Sequence, residues 1–563
     1  MTQQPTPALV AQRAAQRLPR AALLLFCAAY LLPGLFGRDP WRNADVTAFA
    51  TMLGIAEGRT PWWAPTLGDL PPETAVLPHM LGAIFIKLLG PLLDPALAAR
   101  LPFAALLALT LALIWYATFH LARTEAAQPV PFAFGGEADP VDYARALADG
   151  ALLATIATLG LLQLGHETTP ELMQLSEVAL LLWALAAAPY RSWPVRLGLL
   201  LALPALASTG APSMALALGV LALGVILRSS YAEVRALWPW LLASIALACG
   251  VASALGAWQW RLNPNPAGAA GTARLLLWFT WPVWPLALWT LWRWRRHWLH
   301  RHIAVPLATV LVGVVSCIAM GGSDRALMLA TPGLAVLAAF ALPTLKRSAG
   351  AAIDWFSVFF FSLAGLAVWV IYLSMQTGVP AKPLANILRI APGFVSRFSV
   401  IALVAAALGT LAWLWLVRWR TARHRHPLWK SLVLSASGVA LTWLLTMTLL
   451  LPALDYGRSP RALVALVDRH VPHGACVRAP GMVRAQVAAL EVFGEHRVHT
   501  ASTAPAGCDH LLLAWRGNAT PPPPPAGWRL EARLRRPGQL SEQMLVYRRV
   551  PAAPAAAADA PAS

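Results

Sequence analysis

Acidic residues are scarce in this chain: 25 Asp and Glu stand against 44 Lys and Arg, and only 12% of the 563 residues are charged. A soluble globular domain carries about 25% charged residues, and a disordered chain combines high charge with low hydrophobicity. Both classes are excluded for most of the length. Five cysteines in the whole chain exclude a small disulfide-stapled scaffold. No small-residue cleavage site follows the apolar stretch after Arg20, so the first helix reads as retained and not as a removed signal peptide. No internal repeat divides the chain into related halves, and few charges fall at mid-span, which argues against a transporter.

What is present is hydrophobicity. Apolar residues make up 58%, mean hydropathy is +0.58, and apolar runs of roughly 20 residues, the length that crosses a bilayer, recur from Ala21 to Leu451. The chain reads as a polytopic membrane protein. Its net charge of +19 sits in short clusters between spans, such as 293–302 and 418–430, so solvated cytoplasmic loops explain it and nucleic acid does not.

Those clusters predict a topology. Arg13, Arg17 and Arg20 place segment 1–20 in the cytoplasm, and the helix at 21–36 delivers loop 37–76 to the outer face. Arg191/Arg196, Arg228/Arg235, 293–302, Lys346/Arg347 and 418–430 fall inside. Spans are expected at 100–122, 146–165, 170–189, as a hairpin at 197–227, and at 236–258, 273–292, 303–321, 327–344, 352–375, 398–417 and 430–451. Stretch 77–93, with Pro78, His79 and Lys87, is short and reads as an interfacial helix. The expected total is about 13 crossings across a membrane domain 21–452, with everything after Pro452 outside.

The outer loops then gather the carboxylates and cations. Loop 37–76 supplies Asp39, Asp45, Glu57, Asp69 and Glu73; the next holds His166, Glu167 and Glu171; later ones hold Arg325, and Lys382 with Arg389. Beyond Pro452 hydropathy changes. A helix at 460–471, a strand at Cys476–Arg478, a helix at Val483–Phe493 and strands near 497–500, 510–515, 528–534 and 542–550 predict a small α/β domain over 453–550. It has no Gly-rich phosphate loop and no nucleophile motif. Cys476 and Cys508 are either a disulfide or free, and the Ala/Pro tail 551–563 is expected to be disordered.

The order of these parts resembles the polyprenol-phosphate-dependent membrane glycosyltransferases that include the aminoarabinose transferases and protein O-mannosyltransferases (GT-C type). The residues that carry the resemblance are Ala44-Asp45-Val46-Thr47-Ala48-Phe49-Ala50, Ala64-Pro65-Thr66-Leu67-Gly68 and Pro71-Pro72-Glu73-Thr74-Ala75 in the first loop. Ser208-Thr209-Gly210-Ala211-Pro212 and Ser323-Asp324-Arg325 continue it through roughly residues 20–345. Three positions depart from the family: Val46 stands where it has Glu, and Thr74 and Gly210 stand where it has Lys. The resemblance implies an all-α membrane domain with a C-terminal α/β domain, a polyprenyl-phosphate sugar donor, a lipid or protein acceptor, and a periplasmic site on a bacterial inner membrane.

Transfer from a lipid phosphate needs no acid for the leaving group. It needs a carboxylate to hold or deprotonate the acceptor hydroxyl and cations to stabilise the departing phosphate, and displacement from the opposite face inverts the anomeric carbon. Asp45 is the first candidate, with Glu171, Glu167 and Glu73 as further carboxylates. Arg325 and Arg389 are candidates for the phosphate because guanidinium grips phosphate oxygens in pairs; Asp39 and His166 are candidate substrate contacts. Each has a plainer alternative. Asp39 before Pro40 suits a turn, Asp45 suits a helix N-cap, Glu73 suits a loop charge, and Arg325 suits a snorkelling helix-end residue. No cofactor is assigned; a divalent metal at His166, Glu167 and Glu171 stays open, although Pro170 interrupts the helix that such a pattern needs. A lipid-linked glycan transporter and a catalytically inactive relative are the alternative functions.

Overall fold

The computed structural model describes residues 6–41, 43–259, 268–421, 427–501, 507–516, 523–535 and 542–550. The tail 551–563 and part of the 418–430 cluster lie outside them. Apolar helices fill the chain as far as Leu449, in the order α1 (Arg20–Leu31), α2 (Ala44–Ala56), α3 (Val76–Leu89), α4 (Pro95–Ala122), α5 (Pro140–Ala157), α6 (Leu161–Leu164) and α7 (Pro170–Ala187). Then come α8 (Trp193–Ser208), α9 (Pro212–Leu227), α10 (Ala232–Arg235), α11 (Trp238–Ala254), α12 (Gly268–Phe279), α13 (Val283–Arg293), α14 (Arg301–Ala319), α15 (Asp324–Met328) and α16 (Thr331–Ala341). The last membrane helices are α17 (Arg347–Thr377), α19 (Val400–Thr421) and α20 (Lys430–Leu449), with α18 (Ala381–Ile390) between the first two.

Seven helices, α10 and α11 being one of them, are long and apolar enough to cross a bilayer, and eight if one bent pair counts as a span. This is a multi-pass membrane protein. The remaining expected crossings fall on helices too short or too polar to pass that test unaided, among them α1, α5, α8 and α9. Two expected spans are corrected. The straight helix at 273–292 is instead α12 and α13, bent by 90° where Pro282, which donates no backbone hydrogen bond, interrupts the run. The helix expected at 146–165 ends at Ala157, and Thr158–Gly160 turn the chain into α6.

One end of the bundle is closed by the N-terminal segment: the Leu428 amide donates to Ala14, and the Trp429 indole donates to Gln16. At the other end α20 runs into α21 (Leu451–Arg458), followed by α22 (Arg461–Val467), β1 (Cys476–Arg478), α23 (Arg484–Phe493), β2 (Arg497–His499), β3 (His510–Arg516), β4 (Trp528–Arg535) and β5 (Glu542–Arg549). The five strands form one sheet in the order β2-β1-β3-β5-β4, parallel among β2, β1 and β3 and antiparallel through β5. Of the two sequence readings for Cys476 and Cys508, the structure adopts the disulfide, with Cα atoms 4.9 Å apart.

The C-terminal domain is not a loosely hung appendage. Val46 and Ala50 of α2 and Leu67 of the following loop sit in the same buried cluster as Val464, Val477, Val487 and Leu512. Gly68 has φ +55° and approaches the sheet so closely that an added Cβ would lie 2.6 Å from the Val498 carbonyl oxygen. Only glycine meets both demands. Helix α2, which carries Asp45, is therefore held from one side by the bundle and from the other by this domain.

Candidate functional site

Asp45 lies in the first turn of α2, where a carboxylate favours the helix dipole, yet its partners extend well beyond the helix start. Oδ2 accepts from the Trp41 amide at 2.9 Å, and Oδ1 accepts from both the amide and the hydroxyl of Thr168 at 2.9 and 2.8 Å. The Arg38 guanidinium stands 3.5 Å from Oδ2. Burial opposes ionisation, but Arg38, Arg100 and these donors outweigh it and hold the carboxyl below its ordinary range. At 1% exposure it is an anionic pin joining α2 to loop 165–169.

Arg38 also donates to the His166 carbonyl at 2.8 Å and lies 4.7 Å over the Trp41 ring, with Arg458 4.8 Å from the same ring. His166 braces the loop instead of facing a ligand. Its two ring nitrogens lie 2.8 Å from the carbonyl oxygens of Leu162 and Tyr30, and burial pushes the imidazole down to about 4. A small recess beside this loop is lined by the apolar Leu31, Phe103 and Leu107 and by the polar Arg100 and Thr168.

Arg325, at the start of α15, is the hub of the neighbouring group. One nitrogen donates to Glu167 at 2.5 Å; the other donates to Glu171 at 3.2 Å and to Thr169 at 3.1 Å. The Arg325 guanidinium thus lies between the two carboxylates. Glu167 is further fixed by the Gln163 amide at 2.9 Å, and Gln163 in turn accepts from Arg458 at 2.6 Å. Burial raises the Glu167 carboxyl above its ordinary value despite Arg325. Glu171 and Arg325 keep 23% and 24% of their side chains exposed, so this pair forms the open edge of the cluster. His79, buried in α3, faces Glu73 and Glu171 electrostatically.

Other sequence candidates turn out to hold the C-terminal domain. Asp39 does not pair with its neighbours. It accepts two bonds from Arg461 at 2.7 and 2.8 Å and one from Ser459 at 2.8 Å. Glu73 binds Arg484 at 2.6 Å, and the same guanidinium donates to the Pro71 carbonyl at 2.7 Å. Asp69 accepts from the amides of Thr500 and Ala501. Burial works against Asp39 and Asp69 alike, but their donors hold both below the ordinary carboxylate range. Arg389 lies on exposed α18, which packs on α17, and makes no hydrogen bond to the Arg325 group among the described residues. Sequence reasoning missed Thr168, Arg458 and Arg484, whose partners lie far away along the chain, and also Arg38 and Gln163, whose nearby partners Asp45 and Glu167 no motif announces.

No family model matches the chain, and no curated protein sequence does. Two solved structures share its fold. ArnT from Cupriavidus metallidurans bound to undecaprenyl phosphate aligns with TM-score 0.59 and 14% identity over 93% of this chain and 96% of its own. The apo state of the same protein aligns with TM-score 0.60 and 14% identity over 93% and 98%. The likeness extends over most of both chains and shows a shared fold.

Proposed function

We propose that this chain is an inner-membrane glycosyltransferase that moves a sugar from a polyprenyl-phosphate donor to an envelope acceptor, a lipid A, glycan or protein hydroxyl, on the periplasmic face and with inversion. The observation that carries the reading is the partly exposed Arg325–Glu171 pair beside a buried, positively flanked Asp45, on a fold shared with an ArnT bound to undecaprenyl phosphate. The basic clusters of the sequence favour a cytoplasmic N-terminus, which sets the cluster and the C-terminal domain in the periplasm.

In this reading Arg325 turns from Glu171 to the phosphate oxygens of the donor, while Glu167, pinned by Gln163, keeps the guanidinium anchored. The carboxylate released is Glu171. It receives the acceptor hydroxyl proton as the acceptor oxygen bonds to the anomeric carbon; the bond from that carbon to the phosphate oxygen breaks, and the lipid phosphate leaves with the electron pair. Asp45, whose oxygens already accept from three donors, positions loop 165–169 and does not contact the hydroxyl.

Glu171→Gln tests the assignment because it keeps the shape and loses the base. Transfer falls by about 100-fold or more, while undecaprenyl phosphate still raises the melting temperature of the purified variant; full transfer by the variant would remove Glu171 from the chemistry. The departures Val46, Thr74 and Gly210 favour one second reading, a family member that binds lipid without transfer, and that reading predicts no product from the wild-type chain either.

A further inference from the structure

The segment linking α17 to α19 has a character of its own. Its helix α18 places Leu384, Ile387 and Leu388 on one side and Lys382, Asn386 and Arg389 on the other, the spacing of an amphipathic helix. None of its residues is buried. Downstream, Val395, Phe398 and Ile401 are exposed by 77%, 61% and 84%, and Arg397 adds a third exposed cation. No Asp or Glu occurs between Asp354 and Asp455, and Lys382, Arg389 and Arg397 make no ion pair among the described residues.

The flanking spans fix where this surface lies. Helices α17 and α19 bury only 28% and 11% of their most apolar stretches inside the protein, so their outward faces meet lipid. Helix α18 joins their ends at the bilayer boundary and is fastened there by the Leu384 amide donating to Ser374 at 3.0 Å. Just beyond it, the Tyr456 hydroxyl donates to the Pro392 carbonyl at 2.8 Å. Ile387 packs on Met375, Ala391 and Phe394, Leu388 stays exposed beside the two spans, and the cations on the opposite side of the helix stand at headgroup level. An apolar face with Lys and Arg above it is the pattern of a helix lying in the interface and binding anionic lipid.

We infer that α18, with Arg397, is a docking surface for the phosphate headgroups of anionic phospholipids in the leaflet on the side of the C-terminal domain. Charge complementarity selects the occupant: three exposed cations that make no ion pair among the described residues repel cationic partners and gain little from zwitterionic headgroups. The surface also reaches the candidate site, because Tyr456 adjoins Asp455, which accepts from the Trp41 indole and the Asp39 amide. This inference needs only the membrane embedding and stands apart from the transferase reading.

The test places an environment-sensitive fluorescent residue at Leu388 of the full chain in nanodiscs and measures quenching by brominated phosphatidylglycerol and by brominated phosphatidylcholine at equal mole fraction. Exposed Lys and Arg at the interface favour anionic headgroups, so the expected result is quenching by both lipids, several-fold stronger with phosphatidylglycerol. In K382Q/R389Q/R397Q the preference disappears while quenching by phosphatidylcholine persists, which also reports that the helix is still folded into the interface. Equal quenching of the wild-type chain by both lipids overturns the proposal, and so does the absence of quenching by either. Loss of the phosphatidylglycerol preference on adding a small mole fraction of undecaprenyl phosphate assigns the surface to that lipid and overturns the phospholipid assignment.

Discussion

Asp45→Asn abolishes transfer and also lowers the melting temperature of the purified protein. The two effects share a cause. Both carboxylate oxygens accept from N–H or O–H donors at 2.8–2.9 Å, and an amide has one acceptor oxygen. Whichever way Asn turns, its NH2 faces a backbone amide that has lost its acceptor. Arg38 loses its counter-charge at the same time, and its Nε and Nη1 already lack protein acceptors. Removing one partner of a buried ion pair costs about 3–5 kcal/mol, enough to free loop 165–169 and with it Glu167 and Glu171. Thermal unfolding in detergent checks this. A variant as stable as wild type yet inactive would return Asp45 to the chemistry, as the first candidate for the acceptor hydroxyl.

Arg325→Ala leaves Glu167 buried beside Glu171 with no cation between them. Transfer falls by roughly 100- to 1,000-fold, the scale seen when a preorganised charge stabiliser is removed, and undecaprenyl phosphate no longer raises the melting temperature. Arg325→Lys recovers only part of this, since an ammonium cannot span Glu167, Glu171 and Thr169 in a fixed fork. Adding Glu167→Gln to Arg325→Ala removes the buried charge and restores stability without activity. Recovery of activity in that double variant would show that Arg325 only neutralises Glu167 and never meets phosphate.

Much of the fold was legible because it rests on local signals. Apolar length marks the spans, and the strands of the C-terminal domain fall within a residue or two of their expected bounds. The break between α12 and α13 was not, because membrane helices often tolerate proline and Pro282 alone does not announce a 90° bend. At the site, Asp45, Glu167, Glu171 and Arg325 were identified as outer-loop groups and do converge. Asp39 and Glu73 carry the same chemistry in the sequence but are committed to Arg461 and Arg484, more than 400 positions away. His166 is committed to two carbonyls. Nothing local separates a carboxylate that latches a domain from one that borders a site; the distinction comes from which distant guanidinium arrives.

The central claim is tested most directly by mass spectrometry of lipid and envelope extracts from cells with and without this chain. The account predicts that the deletion loses one glycosylated envelope product and accumulates a polyprenyl-phosphate sugar, with both reversed when the chain is restored. An unchanged donor pool together with an unchanged set of glycosylated products would contradict it.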